Sequence, residues 1–326
     1  MADGHQPTTK SSPLGKQTLY PFKMALPPDR GHISTEQQYT GNEEALDLLP
    51  TEEIVRLITV DQQAALMAVD AKTGEIASFI NEVVDRMRSM GRLIYLGAGT
   101  SGRLGVLDAS ECPPTFGADS QQVIGIIAGG DDSLRRSSEA KEDDPFGAVP
   151  QLDELQIGPD DTVLGIAAGG TTPWVLGAIE EAKRRGAATA LLSCSPRDSP
   201  PGCDRLLVVD TGAEFLTGST RLKAGTATKA TLNAITTATF IRLGAVHDNL
   251  MVDLRATNDK LLDRAIRILL VYAPQMDREE AAAWIDASGG HLKTAIVAVH
   301  HGLSPDTARR LIDRCDGSLR DALDNG

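Results

Sequence analysis

A surplus of basic residues, paired cysteines and long apolar runs are all missing from this chain. Its 326 residues carry 32 Lys and Arg against 45 Asp and Glu, a formal charge of −13. A nucleic-acid partner normally announces itself as a basic stripe or patch, so that class is set aside. Any anionic ligand must then be held by local donors rather than by the overall field. Cys112, Cys194, Cys203 and Cys315 form no CxxC pair and have no metal-like spacing with the six histidines. A reduced, cytoplasmic protein that binds no metal is expected. No run approaches the ~18 apolar residues of a membrane span. Residues 1–31, "MADGHQPTTKSSPLGKQTLYPFKMALPPDRG", lack the apolar core of a secretory signal. Residues 1–32 read as a flexible extension.

What is present is a globular pattern, 41% hydrophobic, long enough for one large α/β domain plus a smaller unit. Between Thr51 and Met90 apolar residues recur at helical spacing and predict two leading helices. From Arg92 onward the chain alternates helical stretches with five short, nearly continuous apolar runs: "RLIYLG" (92–97), "VIGIIA" (123–128), "TVLGIAA" (162–168), "ATALLS" (188–193) and "RLLVVD" (205–210). Such runs predict a parallel sheet covered by helices on both faces. After Pro274 short amphipathic segments bounded by Gly, Asp or Ser predict a helical module. The expected organisation is an extension at 1–32, a main domain at 33–274 and a helical module at 275–326.

Three strands run into small polar loops, "GAGTSG" (97–102), "AGGDDS" (128–133) and "AGGTTP" (168–173). Ligands of open α/β sheets sit at the carboxyl ends of the strands, so these loops mark the functional edge. "GAGTSGR" follows a strand and opens a helix, where free N–H groups and the hydroxyls of Thr100 and Ser101 suit a phosphate. The lysine of a P-loop is absent. A purely structural glycine turn remains the alternative. "TGSTRLK" (217–223) is either a second hydroxyl-lined helix start for an anion or an ordinary capped start with solvated basic residues.

Glu111, in "ASECPP", is followed by two prolines that are expected to end a preceding helix. A partly buried carboxylate there would suit proton transfer, and a surface glutamate is the alternative. "SSEAKEDD" (137–144) reads as a solvated acidic face, one member of which could pair with Glu111. Spacing does not choose which. His291, His300, His301, Trp174 and Trp284 read as structural or surface residues.

Four stretches, taken together, are more specific: "GRLIYLGAGTSGRLGVLDASECPPTFG" (91–117), "GIIAGG" (125–130), "TGSTRLKAGTATK" (217–229) and "NLMVDLRATNDKL" (249–261). In this order, within a likeness running from about Ser34 to Leu323, they resemble the N-acetylmuramic acid 6-phosphate etherases. These are cytoplasmic enzymes of cell-wall sugar recycling, built on a sugar isomerase (SIS) domain. The resemblance implies a five-stranded, flavodoxin-like three-layer sandwich that forms a homodimer, with a helical C-terminal unit. It implies cleavage of the D-lactyl ether of the phosphosugar to N-acetylglucosamine 6-phosphate and D-lactate, with no cofactor, no nucleic acid and no membrane. By the same resemblance Glu111 is the acid that protonates the departing lactate oxygen, and Glu142 is the C2 base. Glu139 matches a family glutamate without an assigned role. Thr100, Ser101, Gly102, Thr171, Thr172, Ser219, Thr220 and Lys223 are the candidates for the 6-phosphate.

One departure stands out. Many family members read Ser-Gly-Arg-Thr-Pro after the third strand, whereas this chain has Gly169 and Thr171 in place of that serine and arginine. Related alternatives are a phosphosugar sensor akin to the glucokinase regulatory protein, which carries two such domains in a longer chain, and an aldose–ketose isomerase. A geometric expectation follows as well. If residues 101–110 form one helix, ~15 Å separates Glu111 from Ser101. Either that helix breaks, at Gly105, or Glu111 serves the site of another protomer.

Overall fold

Residues 28–41, 44–136 and 139–325 are described in the computed structural model, so most of the expected flexible extension at 1–32 lies outside the described residues. Gly31–Gly326 form one compact unit. After a 3-10 turn at Ser34–Glu36, helices α1 (Thr51–Asp70) and α2 (Thr73–Arg88) lead into strand β1 (Leu93–Gly97). The chain continues through α3 (Gly99–Phe116), β2 (Val123–Ile127), α4 (Asp132–Arg135), α5 (Val149–Glu154), β3 (Thr162–Ile166), α6 (Pro173–Arg184), β4 (Ala188–Ser193), β5 (Arg205–Val208) and α7 (Lys223–Arg242). A two-residue hairpin, β6 (Val246–His247) and β7 (Leu250–Met251), precedes α8 (Asp259–Tyr272), α9 (Arg278–Ala287), α10 (Leu292–His301), α11 (Pro305–Arg314) and α12 (Leu319–Asp324).

All five long strands pair in parallel in the order β2-β1-β3-β4-β5. The sandwich follows from period-two alternation on strands buried on both faces. Leu93 and Tyr95 of β1, Leu164 and Ile166 of β3, and Leu192 of β4 point into a core shared with α2, α3 and α7. Ile94, Leu96, Val163 and Leu191 point the other way, onto α5 and α6. A separate core joins Val252 and Leu254 to the apolar faces of α8 to α12. Because β2 and β3 flank β1, the connections after β1 and β3 depart in opposite directions, which opens a crevice at their carboxyl ends.

Helix α3 corrects two expectations. It runs unbroken from Gly99 to Phe116, and it contains Pro113 and Pro114 in its last turns. Gly105 does not break it; a Cβ there would stand 3.0 Å from Tyr95 Cβ, so this glycine lets the helix lie close on the sheet. The prolines forfeit only bonds near the helix end. Phe116 stacks on Phe240 at 4.7 Å, and Gly117, with φ 66°, closes the helix through its N–H to Pro113 O.

Candidate active site

The loop after β1 is built around close backbone contacts. Gly97, Gly99 and Gly102 stand at G-x-G-x-x-G spacing. A Cβ on Gly97 would lie 2.5 Å from Gly102 N, and Gly99 has φ +51°. These contacts bring the first turn of α3, with half-buried Thr100 and Ser101, to the crevice. Arg103, the next residue, faces elsewhere: its guanidinium donates to the carbonyls of Ser133 and Leu134 at 2.7 and 3.1 Å and so ties down α4.

Glu142 is delivered to this loop by a tertiary contact. Its carbonyl accepts the Trp174 N–H at 3.0 Å, which straps the acidic segment to the first turn of α6. Gly147 and Gly177 permit that approach, since a Cβ at either would collide with Trp174 or with Pro145 O. In consequence the Glu142 carboxylate rests on Gly99, where a Cβ would lie 3.2 Å from Oε1. Glu142 is half-buried, and its carboxylate approaches Gly99, the first residue of α3.

Glu111 does not join it within one chain. The side chain is exposed rather than partly buried, on the same helix face as exposed Leu107 one turn earlier. Twelve residues of unbroken helix separate it from Gly99, about 18 Å of rise. Between the two, buried Asp108 accepts from Lys229 Nζ at 2.7 Å and from Tyr95 Oη at 3.3 Å, and this fixes α3 to α7 and the sheet.

On the far side of the crevice, Thr171 and Thr172 precede α6, and the Thr172 side chain makes no capping bond to that helix. Ser219 and Thr220 form a tight turn ahead of α7, and Thr100 Cγ2 would meet a Cβ on Gly225 at 3.7 Å, so this helix start and the first loop converge. The α7 terminus itself is already occupied. Glu214, fully buried, accepts the N–H groups of Lys223 and Ala224 at 2.8 and 2.9 Å. Burial pushes the Glu214 carboxyl above its ordinary range, and these two backbone donors oppose that shift. Lys223 is committed as well. Its ammonium is buried against Asp61 Oδ1 at 2.9 Å and lies over the Tyr39 ring.

Composition alone does not single out Glu214, Asp61, Gln62 or Arg197. Asp61 Oδ2, Gln62 Nε2 and Arg197 Nη1 are buried without a hydrogen-bond partner among the described residues. No group of three His, Cys, Asp or Glu among the described residues is placed to hold a metal ion. No helix there is long and apolar enough to cross a membrane. A cleft of about 870 Å³ lined by Arg88, Arg242, His247 and Arg320 lies elsewhere, between α2, α7 and the C-terminal helices. It includes none of the site residues. The crevice beside Gly99 and Gly170 carries the Glu142 carboxylate and the hydroxyls, and its chemistry rather than its volume makes it the candidate site.

Residues 75–183 match the family model of the glucokinase regulatory protein N-terminal SIS domain. Among curated proteins, the N-acetylmuramic acid 6-phosphate etherase of Parasynechococcus marenigrum (strain WH8102) is 44% identical over 307 residues, covering 94% of this chain and 96% of the relative. The enzymes of the same name from Rubrobacter xylanophilus and Streptomyces avermitilis are 46% and 47% identical, covering 91% and 85% of this chain and 97% and 89% of their own. Among solved structures, the sugar isomerase domain of a transcription factor from Sphaerobacter thermophilus aligns with TM-score 0.39 at 18% identity, over 58% of this chain and 89% of its own. Phosphoheptose isomerase of Neisseria gonorrhoeae aligns with TM-score 0.40 at 15% identity, over 58% and 97%.

Proposed function

The chain belongs to the N-acetylmuramic acid 6-phosphate etherase family, and on that premise we propose that it cleaves the lactyl ether of N-acetylmuramic acid 6-phosphate. The products are N-acetylglucosamine 6-phosphate and D-lactate. The observation that carries this reading is the Glu142 carboxylate seated on Gly99, the residue that opens the turn carrying half-buried Thr100 and Ser101. In the open-chain sugar the C2 proton lies next to the aldehyde, and a carboxylate base removes it. The C3–O bond then breaks, the lactate oxygen takes a proton from an acid, and an unsaturated aldehyde is left. Water adds at C3 and a proton returns to C2, so the sugar product regains its hydroxyl. Glu142 is the C2 base, Glu111 the acid, and Thr100, Ser101, Gly102, Thr171 and Thr172 surround the 6-phosphate, with Ser219 and Thr220 at its edge. Lys223 would contact phosphate only by leaving Asp61.

Glu111 acts from a second protomer. Its distance along an unbroken helix and its exposure beside Leu107 both favour this arrangement over one within a single chain. A C2 dimer has two equivalent sites, each taking Glu142 from one chain and Glu111 from the other. Mixing Glu111→Gln with Glu142→Gln chains then rebuilds one intact site per heterodimer, and random assortment restores about a quarter of wild-type activity. D-lactate release from N-acetylmuramic acid 6-phosphate is the readout. No release by wild type refutes the activity, and no recovery on mixing refutes the shared site.

A further inference from the structure

Arg197 lies in the loop after β4, where its guanidinium turns back onto the loop after β3. Gly170, with φ +69°, makes this possible: a Cβ there would stand 2.5 Å from Arg197 Cδ and 3.1 Å from Nη1. The Nε donates to Asp198 O at 2.9 Å, while Nη1 is buried with no hydrogen-bond partner among the described residues. Arg197 forms no ion pair among the described residues; burial disfavours its charge, and the Asp198 carboxylate nearby opposes that only in part. Leaving a buried charged donor without a partner is costly, and such a group in a native fold calls for a compensating role. The loop it leans on is "AGGTTP", where Thr171 and Thr172 follow Gly170 directly.

We infer that Arg197 binds an oxyanion of the bound sugar, bringing a guanidinium from the loop after β4 to the hydroxyl-bearing loop after β3. The inference rests on the phosphosugar reading of this crevice. Thr171 and Thr172 offer hydroxyls beside it, and an arginine adds the planar, charge-assisted donors suited to phosphate or carboxylate. The primary partner is the 6-phosphate, because those hydroxyls follow Gly170, the glycine on which the guanidinium rests. The alternative source of the same chemistry is the lactyl carboxylate.

The test uses Arg197→Gln and Arg197→Lys in the full chain, checked by thermal melting. Calorimetry with N-acetylglucosamine 6-phosphate, which has the phosphate but no lactyl group, is run beside the kinetics of lactate release. Arg197→Gln is expected to weaken the calorimetric affinity by about tenfold to a hundredfold. KM should rise by a similar factor with kcat little changed, Arg197→Lys should lose less, and adding Thr171→Arg to Arg197→Gln should recover part of the affinity. A raised KM with unchanged affinity for the lactyl-free sugar phosphate assigns the contact to the carboxylate and still supports the inference. Unchanged affinity and unchanged KM in a folded Arg197→Gln protein overturn it. If wild type binds the sugar phosphate but releases no lactate, the etherase reading fails while the calorimetric arm still decides Arg197.

Discussion

Glu142 reaches Gly99 because one backbone hydrogen bond from Trp174 holds its segment to α6. Replacing it with glutamine keeps the shape and removes the base. Lactate release should fall by ~10²–10⁴-fold, the usual weight of one general acid or base, with an unchanged melting temperature. An activity within threefold of wild type (about 0.65 kcal/mol) would remove Glu142 from the chemistry. The cysteines divide in the same residue-level way. Burial pushes the thiols of Cys112 and Cys194 up to about 12, so at neutral pH both stay protonated. Thiolates are the reactive form. A thiol reagent should therefore label neither in the native protein and both after denaturation; native labelling of Cys112 or Cys194, read by mass spectrometry, would count against this burial.

At the scale of elements, α7 shows how one helix start is fastened from two sides. Glu214 accepts its first two free N–H groups, and Asp61 of α1 neutralises Lys223. Removing one partner of a buried pair leaves an uncompensated charge. Asp61→Ala is expected to cost about 3–5 kcal/mol, read as a shift in denaturant midpoint, and the double change Asp61→Ala with Lys223→Met should recover part of it. Glu214 also has a pH signature. Burial raises its folded carboxyl above the ordinary 4.5, so the folded chain binds more protons than the unfolded one in that interval. Its contribution is complete below the unfolded value and is lost as pH rises through the folded value. Glu214→Gln should melt lower, because it keeps only one acceptor for two N–H groups, and should show a shallower decline in stability above pH 4.5 than wild type. A parallel pair of stability curves would contradict the assignment.

For the whole molecule, the decisive question is assembly. Leu107 is 45% exposed and shares a helix face with Glu111. If the shared site is correct, Leu107→Asp should yield a folded monomer by light scattering and lose lactate release, while Glu142 and its loop stay in place. A dimer with full activity would move the interface elsewhere.

Five apolar runs separated by helical stretches suffice to specify a parallel sheet, because strands buried on both faces need no polar alternation. The glycine turn after β1 was equally legible, since close backbone approach leaves room for little else. The course of α3 was not. Pro113 and Pro114 argue locally for an end, yet Phe116 on Phe240 and the Gly117 closure carry the helix past them. Nor does spacing choose among the acids of "SSEAKEDD", because the choice rests on a contact between Glu142 and Trp174 more than thirty residues apart. Arg197 looks like any solvated loop arginine in "SPRDSPPG", and nothing in its spacing sets it apart. Periodicity and turn chemistry are local, so the sequence by itself determined the sheet, the loops at its edge and the family. Which acid faces Gly99, which cations are neutralised and which guanidinium is left without a partner depend on side chains distant in sequence, and only the packed tertiary structure decided them.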